Sequence, residues 1–129
     1  MPAPSGETFS VEAKVAANTA LMNLIDTGSA GKLKIKNSSD SVLCTFTLSD
    51  PCGSVNGSTG QLTLGFASTT VNASATGTAS YAEITESDDT VHWQGLCEAG
   101  TSGVAGKCVI NTLSLVSGSP VTIVSVTFG

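Results

Sequence analysis

Four cysteines carry the most chemistry on offer in this chain: Cys44, Cys52, Cys97 and Cys108. Two of them bracket the stretch LCEAGTSGVAGKC, where ten residues, mostly Gly, Ala, Ser and Thr, separate Cys97 from Cys108. Such thiols can be zinc ligands, a redox pair, a disulfide staple or small core residues. Four-cysteine zinc sites present two close knuckles. Here the intervening segments are seven, forty-four and ten residues long and no pair is CxxC, so no metal is expected. Cys44 falls on the apolar face of its segment and reads as a buried thiol. Cys52 follows Asp50 and Pro51 in a turn-rich stretch and reads as exposed, hence reactive and open to a partner. Cys97 and Cys108 are expected to meet across a hairpin. The favoured pairing joins Cys97 to Cys108, with Cys44 bonded to Cys52 or Cys52 bonded to another chain. A Cys97–Cys108 bond closes a loop of about a dozen residues, a stabilisation of about 3 kcal/mol in the chain-entropy account.

The other reactive side chains are sparse. His92 is the single histidine. Its nearest carboxylates, Asp88 and Asp89, suit a turn, and no GxSxG elbow supports a Ser-His-Asp arrangement, so His92 reads as an ordinary surface or half-buried residue. Glu83, Glu86, Asp88 and Asp89 cluster without the DxDxDG pattern of a calcium loop and read as an acidic hairpin tip. GTSGVAG lacks the Lys-Ser/Thr of a phosphate loop. No catalytic residue and no cofactor is expected. Lys32, Lys34 and Lys36 alternate along GKLKIKN and line the outer face of a strand, where they suit an exposed edge. The chain has ten acidic residues, five lysines and no arginine, for a net charge of −5, and only six aromatics. That balance argues against a nucleic-acid partner.

These side chains need a frame, and the composition suggests its type. Charged residues make up 12% of 129 residues, about half the usual share. Thr, Ser, Gly, Val and Ala dominate, as in an all-β chain rich in turns. The length suits one domain with a real core. MPAPSGETF lacks a basic segment followed by an apolar one, so no signal peptide is expected, and no apolar run approaches the ~18 residues of a membrane span. Residues 1–8 read as a flexible arm, with docking as one role. Residues 9–27 are the one good helical stretch: Ser10 can cap it, and Val11, Val15, Met22 and Ile25 form a stripe. From residue 32 the period is two. KLKIKN, SVLCTFTLSD, QLTLGFAS, GTASYAEITES, TVHWQG, CVINTLSLV and VTIVSVTFG read as strands, with DPCGSVNGSTG as dense turn chemistry. The expected fold is a single all-β sandwich of seven or eight antiparallel strands over residues 9–129, with a short N-terminal helix. Its expected core includes Leu33, Ile35, Val42, Cys44, Phe46, Leu48, Leu62, Leu64, Phe66, Ile84 and Trp93.

The order of segments carries a resemblance. LIDTGSAGKLKIKN is followed by VLCTFTLSDPCGSVNGSTGQLTL, ASATGTASYAEITESDDTVHWQG, GTSG and INTLSLVSGSPVTIVSVTF. Over about residues 20–128 this resembles a family of small tailed-bacteriophage virion proteins, found among head and neck structural genes. The cysteines depart from that family's pattern: Cys52 stands where a small apolar residue is usual, and Cys97 and Cys108 where apolar residues are usual. The departure suggests disulfide reinforcement of a shared scaffold and weakens a catalytic reading of the thiols. The resemblance implies a non-enzymatic virion protein, a capsid decoration or cement protein or a neck or collar component. Its partners are then other virion proteins (major capsid or neck proteins) and further copies in a homo-oligomer, with no nucleic acid and no membrane. Docking is expected along the N-terminal arm and helix. The chain would be made in the host cytoplasm and reside in the virion, where disulfides form after release. The alternative is a receptor- or carbohydrate-binding spike or adhesin, for which Tyr81, Glu83, Asp89 and Trp93 are the candidates.

Overall fold

A computed structural model describes residues 9–104 and 106–128; the expected arm, residues 1–8, lies outside them. The first element is the helix α1 (Val11–Ile25). Ser10 caps it from an extended conformation, its Oγ accepting from the Ala13 N–H at 3.1 Å. This satisfies one of the otherwise unpaired N–H groups of the first turn. At the other end Asp26 N donates to Met22 O at 3.0 Å. The helix buries Ile25 completely and packs Leu21 and Met22 against the core.

Ten strands follow among the described residues: β1 (Lys32–Lys36), β2 (Val42–Val55), β3 (Leu62–Phe66), β4 (Thr70–Asn72), β5 (Gly77–Thr78), β6 (Tyr81–Thr85), β7 (Val91–Ala99), β8 (Cys108–Ile110), β9 (Ser114–Leu115) and β10 (Pro120–Phe128). The main sheet runs β3-β2-β1-β6-β7-β8-β10, and β10 pairs back onto β3. Those seven strands form a closed barrel, so the expected open sandwich is overturned, and with it the sandwich-type cement module. Alternating apolar residues describe any sheet with one wet face, so periodicity alone does not separate the two architectures. Closure comes from β10, whose first part pairs with β4 (Val121 with Val71) and whose end pairs with β3 (Phe128 with Leu62).

A ring with every neighbour antiparallel needs an even number of strands. Seven therefore require a parallel junction, and it falls between β7 and β8, in the register Cys97–Cys108, Glu98–Val109 and Ala99–Ile110. Parallel neighbours usually need a crossover of a dozen or more residues. Here the overlap is three residue pairs, and the loop crosses over the barrel wall, with Gly106 N donating to Thr127 O at 2.8 Å. The expected hairpin between the two cysteines is thus a short parallel pairing.

Leu33, Ile35, Cys44, Phe46, Leu48, Ile84 and Val126 fill the interior. Val42, expected among them, is 37% exposed, and Leu43 is buried in its place. The cause is a bulge: Ile35 pairs with Cys44 but Lys36 with Val42, so Leu43 is an extra residue. It turns under the segment from Ala73 to Ala79, with Ser74 N donating to Leu43 O at 2.8 Å. A β-carbon on Gly77 would sit 3.0 Å from the Leu43 side chain, so a larger residue there would crowd it. β1 is flanked by β2 and β6 and is not an edge, which removes the edge role expected for its lysines. DPCG is not a turn either. β2 runs through it, taking five positions from Leu48 to Gly53 against two from Phe66 to Leu64 on β3. The turn itself is at Asn56, whose Oδ1 accepts from Ser58 N at 2.8 Å.

Candidate functional site

All four cysteines are thiols in the structure. Cys97 and Cys108 are direct neighbours across the parallel junction, with side chains on the same face. The contact with Cys108 holds the Cys97 thiol below its ordinary range, and the same contact with burial pushes Cys108 far up. Cys108 is fully buried and Cys97 half-buried. Cys44 also faces the interior, near enough for its charge to act on Cys108, and burial raises its thiol to about 11.

Cys52 corrects an expectation. It is completely buried rather than exposed, because the bulged course of β2 turns it under the helix. Its N–H donates to Asp26 Oδ1 at 2.9 Å, and its Sγ lies 3.8 Å from Met22 O. Burial and the nearby Asp26 carboxylate push the thiol up to about 12. A thiol so placed is a poor inter-chain link, and its contacts are with α1 rather than with Cys44. Burial also raises the Asp26 carboxyl, partly offset by the bond from Cys52.

The outer wall of β1, β6 and β7 gathers the lysines and most of the acidic cluster. Glu83 is only 5% exposed. It forms an ion pair with Lys36, and its Oε2 accepts from Gln94 Nε2 at 2.8 Å. The Lys36 contact holds its carboxyl below the usual range, with burial opposing. Asp89 Oδ1 accepts from Lys34 at 2.8 Å and Lys32 at 3.3 Å, and these lysines lower its pKa. Asp88 instead serves the turn, accepting from Thr90 N at 3.0 Å. The lysine stripe and the acidic tip, read separately in the sequence, are two halves of one neutralised patch. The signal that joins them is the register Lys34–Glu83, set by pairing of distant segments.

His92 does find a carboxylate, and it is Glu86: the Nε2–Oε1 distance is 2.6 Å and both side chains are largely buried. Asp88 and Asp89 are nearer in sequence, but Glu86 lies across the hairpin and is the one within reach. A histidine–carboxylate pair needs a nucleophile to do acyl-transfer chemistry. Ser87 Oγ donates to Thr27 O at 3.3 Å instead. Among the described residues no group of three or more His, Cys, Asp or Glu is placed to hold a metal ion.

The four candidates for a glycan groove are divided between faces. Trp93 pairs with Ile84 and points inward, its ring 5.0 Å from Phe128 in an edge-on contact. Gly95 leaves room for that ring, since a side chain there would run into it. Glu83 and Asp89 lie on the outer wall. Tyr81 donates to Asp40 at 2.7 Å, which pushes its phenol up to about 12.

The remaining feature is apolar. Along one face of α1, Phe9, Ala13, Lys14, Ala17 and Asn18 line a groove of about 310 Å3. Phe9 is 60% and Val11 41% exposed beside it. Asn18 Nδ2 donates to Gly60 O at 2.6 Å, which fixes the helix against the β2–β3 turn. No helix among the described residues is long and apolar enough to cross a membrane. No protein family, curated protein or solved structure matches this chain.

Proposed function

We propose that this chain is a non-enzymatic structural protein of a tailed-phage particle, in the head or neck, which acts through protein–protein contact along α1. The observation that carries the reading is the apolar groove beside exposed Phe9 and Val11. Exposed apolar surface of this kind marks interaction sites. The ordered run of segments from LIDTGSAGKLKIKN to VTIVSVTF supports the same role through its resemblance to virion proteins. The low charge of the chain also suits a protein that spends its surface in contacts, because interface cores are depleted in charge. The occupant of the groove is a segment of a neighbouring virion protein, apolar with an acidic residue opposite Lys14, which makes no ion pair among the described residues. Copies are arranged by the symmetry of the particle.

The test is mass spectrometry of gradient-purified particles, wild type against Ala13→Glu and Ala17→Glu. Both alanines are exposed, so the variants should keep the circular dichroism of the parent. The expected result is a wild-type chain in fixed ratio to the major particle proteins and variants depleted by about tenfold or more, equivalent to about 1.4 kcal/mol. Absence of the wild-type chain from particles, or full incorporation of both variants, overturns the proposal.

A further inference from the structure

We propose that Cys97 and Cys108 are a redox-responsive site, at which thiol–disulfide exchange staples β7 to β8 across the parallel junction of the barrel. This site is independent of the virion reading. Two observations and the ordinary spacing of strands carry it. The two residues are register partners on adjacent strands, facing the same way. Adjacent strands set α-carbons about 4.8 Å apart, inside the about 4.4–6.8 Å range that a disulfide spans. Accessibility is divided between the partners: Cys97 is half-buried and open to a co-reactant, whereas Cys108 is fully buried.

The junction is also one of the short seams of the ring. β7 and β8 share three residue pairs, as do β8 and β10, and β10 and β3 share two, so β8 is held by short seams on both sides. In contrast, β1 and β6 share five.

The co-reactant is a small disulfide of the glutathione class. The Cys97 thiolate attacks one of its sulfurs, the small S–S bond breaks, and one thiolate leaves and takes up the proton that Cys97 gave up. Cys108 then loses its proton and attacks Cys97 Sγ. The Cys97–Cys108 bond forms, the mixed disulfide breaks, and the second small thiolate leaves and is protonated. Two protein thiols are oxidised and one small disulfide is reduced to two thiols. Cys97 attacks first because it is the partner that a small disulfide can reach.

The experiment equilibrates the full chain in a series of oxidised-to-reduced glutathione ratios. The free thiols are then trapped by alkylation and the digest is mapped without reductant. The expected product is one intramolecular Cys97–Cys108 cross-link, with Cys44 and Cys52 alkylated only after denaturation. The melting temperature should rise by about 10 °C on oxidation, from closure of the loop between the two cysteines, and Cys97→Ser should abolish the rise. In Cys108→Ala, a small substitution at a buried position, glutathione should remain trapped on Cys97. A Cys44–Cys108 bond, an inter-chain bond, or Cys97 still free at the most oxidising ratio overturns the proposal. The wild-type map decides between these outcomes even if a variant does not fold.

Discussion

Replacing Glu83 by glutamine tests how much the outer wall of the barrel depends on its buried ion pair. Glu83 is 5% exposed and the Lys36 side chain 18%. Breaking a fully buried pair costs about 3–5 kcal/mol, and an exposed pair about 0–1. With a lysine that keeps some contact with water, Glu83→Gln should cost about 2 kcal/mol. The substituted amide still offers an oxygen to Gln94, so the loss isolates the charge. At a urea m-value of about 2 kcal/mol per molar, the midpoint should fall by about 1 M with no change in slope. Lys36→Met together with Glu83→Gln should recover about half of the loss, because the stranded ammonium is gone. The pH dependence has a defined sign. Lys36 lowers the pKa of Glu83 in the folded chain, so the folded state binds fewer protons than the unfolded one across that window. Its contribution is complete above about pH 4.3, the ordinary glutamate value, and is lost as pH falls through the lower folded value. Wild type should therefore lose more stability on acidification than Glu83→Gln does. A variant within about 0.5 kcal/mol of wild type, or a double variant no better than the single one, refutes the reasoning.

Urea melts also check two other assignments. Leu43→Ala should cost about 2–5 kcal/mol, while Val42→Thr should stay within about 0.5, because the bulge buries the first residue and exposes the second. Ser10→Ala should cost about 1 kcal/mol through loss of the cap on Ala13 N. Alkylation of the native, reduced chain near pH 8 should label Cys97 first. Cys52, with its thiol raised to about 12 beneath α1, should resist until unfolding. Rapid labelling of Cys52 would contradict its placement.

Much of the fold is legible residue by residue. The helix and its Ser10 cap, the alternation that turns Leu33 and Ile35 inward and Lys32, Lys34 and Lys36 outward, and the β6–β7 hairpin all follow from local rules. The errors share a cause. Val42 and Leu43 exchange roles because a bulge adds one residue against β1, and nothing in SVLCTFTL marks it. Cys52 lies in a segment with every mark of a turn, yet β2 continues through it because Asp26 and Met22 of the distant helix end hold the thiol inside. Glu83 carries no signal of burial in its own neighbourhood; Lys36 and Gln94 bury it together.

By itself the amino-acid order determines which segments extend, which one coils and which face of each is apolar. Those choices rest on backbone preference and on the period of side chains within a few residues of one another. Tertiary structure alone decided that the sheet closes, that an odd ring takes a parallel junction, and that the expected meeting of Cys97 with Cys108 falls on that junction rather than across a hairpin. These depend on which distant strands β10 and β8 pair with. Pairing between strands is the sum of many weak contacts over the whole chain, and no single stretch of sequence contains it.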